Sequence, residues 1–310
     1  MARVLWTQKQ NFGPSPRWGH AMVFDSARQR TLLFGGRLGD VELAGDTWEW
    51  DGHSWVQVSD LGPKPRYRHK LADDSTRERI ILFGGRAATT GPSTNETWEW
   101  DGAEWVQLTD TGPALEHGST AMVYDKTRQR VVLFGCDLGL VRSETWEWDG
   151  EEWTQQEDVG PPARLQTALT YDTSRSRTVL FGGTLGSDGM KVLGDTWEWD
   201  GTTWTQQADF GPDPRREHAI AFDDSRKRVV LFGGVAHRLN SAGGITPAYL
   251  GDTWEWDGSR WLQRQNMGPQ ARINHALSYD PGRKRVILFG GGIGADFLGD
   301  TWEFAERPST

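Results

Sequence analysis

The side chains best suited to proton transfer in this sequence are Glu217 and His117, and Arg68 and Arg216 are the cations best suited to holding an anion beside them. A carboxylate and an imidazole can exchange protons near neutral pH, and a guanidinium binds an anion through several donors at once. Only Arg216 and Glu217 are adjacent in the chain. A shared site therefore requires a fold that brings distant loops together, and the elements of that fold have to be identified first.

Histidine and cysteine are the residues that would indicate a metal or redox site. Four histidines recur at one spacing, and none has the close-spaced partner of a helical zinc motif, so we interpret them as side chains that bond to neighbouring backbone. They are His20, His69, His218 and His275. The single cysteine, Cys136, excludes a disulfide framework, and we expect a small, partly buried thiol without a redox role. No cofactor and no metal are predicted.

Composition narrows the choice of partners. The chain has 310 residues and a formal net charge of −9, which argues against a general nucleic-acid-binding surface. No apolar run is long enough for a signal peptide or a membrane helix. We therefore expect a cytoplasmic monomer with neither a nucleic-acid nor a membrane partner.

Two motifs recur along the chain and predict its fold. Leu-Phe-Gly-Gly occurs five times, with Leu133-Phe134-Gly135-Cys136 as a sixth copy, and its phenylalanines are separated by 49, 51, 47, 51 and 57 residues. Thr-Trp-Glu-Trp also occurs five times, and the sixth copy ends in Phe304. A sequence period near 50 is typical of propellers built from repeated four-stranded units.

One unit divides into four short strands, which we call A to D. In the first unit strand A is His20–Phe24, strand B is Thr31–Phe34 and stops at the glycine pair, strand C is Asp46–Trp50, and strand D begins at Trp55. Aromatic and β-branched residues between Gly and Pro at regular spacing indicate an all-β fold.

At these residues the chain resembles the kelch β-propeller family: an apolar strand ends in a glycine pair, then comes an aromatic residue, Trp48, and seven positions later a second, Trp55. The resemblance covers nearly the whole chain. It implies a single domain over residues 1–310, a six-bladed propeller of four-stranded antiparallel blades around a central channel. The expected blades are 17–58, 66–108, 115–156, 164–207, 215–264, and 272–304 together with 3–9.

The two ends of the chain predict how the ring closes. The segment around Trp6 matches strand D yet comes first, and the last unit ends after strand C at Phe304. The N-terminal strand should therefore complete the sixth blade. The repeat also accounts for 17 of the 18 tryptophans, which we expect to pack blade against blade; only Trp18 stands outside it.

Loop lengths separate the two faces of the propeller. The A–B turn always has the same length, whereas the loops between strands B and C have 9, 10, 7, 11, 17 and 8 residues. Binding residues usually lie on variable loops held by a rigid scaffold. We therefore predict that ligands bind on the face formed by the B–C and D–A loops, around the channel mouth.

The candidate binding residues follow from this prediction. In kelch proteins that recognise peptides, residues two positions after the recurring Arg of the D–A loop help to contact the ligand, so the resemblance implies such a role for Arg68, Ser119, Gln166, Glu217 and Asn274. Neighbouring candidates are aromatic or basic residues outside the repeat. They are Trp18, Tyr67, Arg216 and Phe297. In the 17-residue loop His237, Arg238 and Tyr249 could form a lid, or the loop could be a disordered insertion.

Two functions remain open from the sequence. The first is a binding module whose ligand is a separate molecule: a peptide, a protein or a small molecule. The second is an enzyme of isomerase, cyclase or lyase type at the same channel mouth, with Glu217 and His117 as acid and base. Polar residues around a channel fit both.

Overall fold

The chain folds into six four-stranded antiparallel sheets, as a computed structural model shows for residues 3–9, 12–90, 92–116, 120–156, 159–186, 189–239, 244–265 and 267–307. Blade 1 comprises β2 (Ala21–Asp25), β3 (Arg30–Arg37), β4 (Leu43–Trp50) and β5 (Trp55–Ser59). Blade 2 comprises β6 (Lys70–Asp74), β7 (Arg79–Phe83), β8 (Thr97–Trp100) and β9 (Trp105–Thr109). Blade 3 comprises β10 (Ala121–Asp125), β11 (Arg130–Cys136), β12 (Ser143–Trp148) and β13 (Trp153–Gln156).

The second half of the chain repeats this order. Blade 4 comprises β14 (Ala168–Asp172), β15 (Arg177–Leu185), β16 (Lys191–Trp199) and β17 (Trp204–Ala208). Blade 5 comprises β18 (Ala219–Asp223), β19 (Arg228–Phe232), β22 (Thr253–Trp256) and β23 (Trp261–Gln265), with a hairpin of β20 (Val235–Leu239) and β21 (Ile245–Tyr249) inserted. Blade 6 comprises β24 (Ala276–Asp280), β25 (Arg285–Phe289) and β28 (Thr301–Arg307), with a short hairpin of β26 (Gly292–Ile293) and β27 (Asp296–Phe297).

The ring closes through the N-terminal strand, as predicted. Strand β1 (Arg3–Gln8) pairs antiparallel with β28, with Trp6 opposite Phe304, and so supplies the fourth strand of blade 6. The A strands of neighbouring blades contact one another around the channel, so strand A is innermost and strand D outermost. No helix in the described part of the chain is long and apolar enough to cross a membrane.

The strand-D tryptophans pack against the preceding blade, as the repeat predicts. The Trp55 ring lies 5.3 Å from that of Phe289, and its indole N–H donates to Thr301 Oγ1 at 2.9 Å. The equivalent indole makes the same bond to a strand-C threonine in every blade. Five of the six indoles are buried and that of Trp153 is half-buried, and all six have their donor satisfied by the neighbouring blade.

A buried arginine ties the D–A loop to its blade in five of the six repeats. Arg17 is 1% exposed, and its guanidinium bonds both oxygens of Asp46 and the carbonyl of Gly35. Burial alone would raise the pKa of Asp46, but the hydrogen bonds and charge of Arg17 outweigh it and lower that pKa. Because its donors are satisfied, this arginine serves the scaffold. Its counterparts are Arg66, Arg164, Arg215 and Arg272.

Strand B does not always stop at the glycine pair, which corrects one expectation. In blades 1, 3 and 4 it runs through the pair, and in blade 1 the ladder is irregular between Phe34 and Gly36. Gly35 has φ 63°, and a Cβ there would lie 2.7 Å from the Arg66 carbonyl, so the pair lets two loops approach closely. Cys136, at the second position of its pair, is fully buried rather than partly buried.

Candidate functional site

The channel mouth on the face of the B–C and D–A loops is bordered by a partial ring of backbone hydrogen bonds, which links the five D–A loops that the structure describes at this position. The second residue after the recurring arginine donates its N–H to the carbonyl of the same residue in the preceding blade: Arg68 to Gly19 at 2.6 Å, Glu217 to Gln166 at 3.1 Å. Asn274 and Gly19 continue the ring. These residues have φ between 52° and 65°, a conformation that glycine adopts most readily. The geometry holds their polar side chains at the mouth.

A carboxylate and three polar side chains form one network at this mouth. Glu217 Oε1 accepts from Gln166 Nε2 at 2.7 Å and from Arg68 Nη2 at 3.3 Å, while its Oε2 lies 3.2 Å from Arg216 Nη1. Arg216 Nη1 also donates to Gln166 Oε1 at 3.2 Å. The Glu217 side chain is 7% exposed and the two arginines are about 20% exposed. The structure thus brings together four of the predicted residues.

Three aromatic rings lie side by side next to this network. Trp18 contacts Tyr67 edge to face at 5.6 Å and stacks on Phe297 at 6.4 Å. The guanidinium groups of Arg37 and Arg68 lie over the Trp18 ring at 5.4 and 5.5 Å. Tyr67 is buried, whereas Trp18 and Phe297 are half-buried. The ring of Trp18 therefore connects the aromatic residues to the charged ones.

Lys70 is a channel residue that the sequence analysis missed. It occupies the first position of strand A, where the other five blades have alanine, and it lines a small cavity at the channel mouth, the mouth cavity, together with Arg68 and Glu217. Burial, and then the charge of Arg68, lower the pKa of Lys70 to about 8. No hydrogen bond or ion pair to its ammonium occurs among the described residues. The sequence did contain a signal for this residue, because Lys70 replaces the alanine found at the same position in the other five blades.

Histidines form the layer beneath the loops and are neutral. Burial, followed by the charge of a neighbouring arginine, lowers the pKa of His20 and of His218 to about 3. His69 Nε2 lies 3.1 Å from the carbonyl oxygen of Phe34, which is the predicted backbone contact, whereas the ring nitrogens of the other three histidines have no hydrogen-bond partner among the described residues. Each ring also packs edge to face on a strand-B phenylalanine. The described residues contain no cluster of His, Cys, Asp and Glu suited to a metal.

The mouth cavity is small and carries an excess of positive charge. It has a volume of about 80 Å³ and is lined by Arg68, Lys70, Gln166, Glu217 and Asn274 together with three of the four histidines. Adjoining Arg216 adds a second guanidinium, and its buried Nε has no hydrogen-bond partner in the described part of the chain. Three cations therefore face one carboxylate. Such a site can bind an acidic group.

The residues of the long blade-5 loop lie elsewhere. The loop forms the β20–β21 hairpin, in which His237 Nδ1 lies 3.0 Å from the Met190 carbonyl oxygen and Arg238 pairs with Asp213 at 2.9 Å. Arg238 and Tyr249 line a depression at the blade edge, separate from the mouth cavity. The described strands of this loop pair as a hairpin, so this part of the loop is not a disordered insertion. The structure does not bring these residues to the network around Glu217.

Two predicted residues, His117 and Ser119, lie outside the described residues. The proposed acid–base pair of Glu217 and His117 is therefore represented by Glu217 alone, whose carboxylate is engaged by two arginines. The binding roles of all the candidates, and the catalytic role of this pair, stay predictions.

Comparison with known proteins identifies the class of protein. The family model described as the KLHDC2/KLHL20/DRC7 Kelch-repeats domain matches residues 2–183, which is more than half of the chain. The chain therefore belongs to this family of kelch-repeat propellers, a fold that commonly serves as a protein-interaction scaffold.

A solved structure supports the fold over nearly the whole chain. The structure of YjhT superposes with a TM-score of 0.73 at 14% identity and covers 93% of this chain and 95% of that one. At this identity the likeness concerns the fold alone. No curated protein matches the chain.

Proposed function

We propose that this propeller binds a ligand at the channel mouth on the B–C/D–A face, and that an acidic group of the ligand enters the mouth cavity. The observation that carries the proposal is the charge at the cavity: Arg68 and Lys70 line it and Arg216 adjoins it, against the single carboxylate of Glu217. An anion in the cavity would meet the Lys70 ammonium, to which no hydrogen bond or ion pair occurs among the described residues.

The size of the cavity favours a peptide or protein segment over an enclosed small molecule. A volume of about 80 Å³ is well below the ~300 Å³ at which typical small-molecule sites begin. It can hold a carboxylate but only a fragment of a larger ligand. The rest of the ligand would lie across the face, where Trp18 and Phe297 offer half-buried rings.

Selection from a random-peptide library, with a panel of small carboxylates screened in parallel, tests this function. We expect selected peptides to share an acidic residue and to bind the Trp18→Ala and Arg68→Ala variants at least about 10-fold more weakly. Arg238→Ala is the matched control because its arginine lies at the blade edge. Peptides that bind all variants equally would place the site elsewhere, and binding of small carboxylates alone would favour a small-molecule ligand.

The enzyme hypothesis has no observation of its own in its favour. If Glu217 acted as an acid or base it would do so inside an ion-pair network with Arg68 and Arg216, which also suits a purely positioning role. The proposal is therefore restricted to binding.

A further inference from the structure

One position of the inner strand differs in a single blade. The fourth residue of strand A is aromatic in five blades and aspartate in the second. The six residues are Phe24, Asp73, Tyr124, Tyr171, Phe222 and Tyr279. Four of the five rings are buried and that of Tyr279 is half-buried, and the hydroxyl of Tyr124 donates to Thr76 Oγ1 of the preceding blade at 2.6 Å. Asp73 thus replaces a ring that elsewhere serves packing.

This position lines a second cavity, the turn-side cavity, at the end of the channel opposite the mouth cavity. It lies between the A–B turns and has a volume of about 330 Å³. That volume falls in the range of small-molecule sites, roughly 300–1,000 Å³. Its wall includes the rings at the fourth position of strand A and a few hydroxyl side chains, and the second residue of every inner strand contributes an aliphatic side chain. These residues are Met22, Leu71, Met122, Leu169, Ile220 and Leu277.

Asp73 places a carboxylate in this cavity without an ionic partner. Its Oδ1 accepts the backbone N–H of Ser26 at 3.4 Å, and no ion pair to it occurs among the residues that the structure describes. Burial raises the pKa of Asp73 to about 6, while the hydrogen bond from Ser26 and the charge of Lys126 lower it. A carboxylate in apolar surroundings is costly unless a cation pairs with it.

The other charges at the cavity are already engaged or lie at its rim. Asp224 pairs with Lys227 at 2.9 Å and accepts a hydrogen bond from the Thr173 hydroxyl. Lys126 is exposed to solvent. Among the described residues, the inner part of the cavity therefore carries one negative charge next to an aliphatic wall.

We propose that the turn-side cavity binds a small organic amine, whose ammonium group pairs with Asp73 while its hydrocarbon part lies against the aliphatic wall. The aspartate side chain is smaller than the rings at the same position of the other blades, which leaves room for the ammonium group beside it. This site is at the opposite end of the channel from the proposed acidic-ligand site and does not depend on it.

Titration calorimetry with phenethylamine and 2-phenylethanol tests the proposal, because the two probes differ only in the charged group. We expect the wild-type protein to bind the amine about 10-fold more tightly than the alcohol, a difference set by the ion pair. Asp73→Asn should remove that difference by weakening the amine alone. Equal affinities for the two probes in the wild type, or no binding of either, would overturn the proposal.

Two further variants separate this site from misfolding and from the channel mouth. Asp73→Phe installs the residue of blades 1 and 5, so it should fold, and its ring should fill the space and remove binding of both probes. Arg68→Ala at the channel mouth should leave the affinity for phenethylamine unchanged. If the Asp73→Phe variant still bound phenethylamine, the assignment of the amine site to the turn-side cavity would be contradicted. The same holds if Arg68→Ala weakened phenethylamine binding as much as Asp73→Phe does.

Discussion

The layer between the blades and the mouth of the channel use arginine in opposite ways. Arg17, which has counterparts in four other blades, is 1% exposed and donates hydrogen bonds to Asp46, Gly35 and Ser15. Arg68, which does not recur, is 22% exposed and makes one ion pair, at 3.3 Å, to Glu217. In Arg17 every guanidinium nitrogen has a partner within the scaffold, whereas Arg216 at the channel mouth keeps a buried Nε without a hydrogen-bond partner among the described residues. Stability and binding should therefore respond to different substitutions.

Deleting residues 1–8 should produce the largest loss of stability. It removes β1, which closes the ring, and with it the Trp6 indole that packs on Phe232 and bonds Thr253. Loss of a buried tryptophan alone costs about 3–5 kcal/mol, and here a strand edge is exposed as well. Thermal unfolding followed by circular dichroism gives the answer. An unchanged melting temperature would refute closure through this strand.

Arg17→Met should destabilise the protein by about 3–5 kcal/mol, because it leaves the half-buried carboxylate of Asp46 without its cation. The matched control is Arg238→Met, which breaks an exposed pair with Asp213 and should cost about 0–1 kcal/mol. Urea unfolding measures both. Similar losses in the two variants would show that the repeated arginine has no special place in the scaffold.

Trp55→Ala and Trp18→Ala compare a repeated tryptophan with the one outside the repeat. Trp55 is buried and hydrogen-bonded, so its loss should cost about 3–5 kcal/mol, whereas half-buried Trp18 should cost about 1–2 kcal/mol. Affinity for a selected ligand should show the reverse order. If Trp18→Ala lowered stability as much as Trp55→Ala, Trp18 would belong to the scaffold.

Lys70→Ala should stabilise the protein by roughly 1–3 kcal/mol at pH 7, since it restores the alanine of the other blades and removes a half-buried, desolvated charge. The folded state holds the Lys70 proton less tightly than the unfolded state does. The cost of the lysine is therefore fully present below pH 8 and disappears as the pH rises toward 10.5. Unfolding of both proteins between pH 6 and 10 measures the gap, and a gap that does not narrow at high pH would contradict this cause.

The repeat made the scaffold predictable, while the channel was less so. Strand types, the blade count and the closing strand all follow from residues that recur, such as Trp55. The sequence also selected Arg68 and Glu217 as loop residues outside the repeat. It did not show that residues in a left-handed backbone conformation are joined from loop to loop by hydrogen bonds, because these bonds link loops far apart in the chain.

Lys70 and Asp73 were missed for a different reason. Both lie in the inner strand, and strand residues were assigned to the scaffold as a group. Only the ring arrangement shows that strand A borders the channel, so that a single unusual residue there lines a cavity. The position of the blade-5 hairpin likewise depends on contacts with Met190 and Asp213 that loop length does not reveal.

The affinity of one selected acidic peptide for the wild type, Arg68→Ala and Arg238→Ala tests the central claim most directly. The account predicts that Arg68→Ala weakens binding at least about 10-fold without lowering the melting temperature in proportion, and that Arg238→Ala changes neither. Equal affinity of the peptide for all three proteins would contradict a ligand site at the channel mouth.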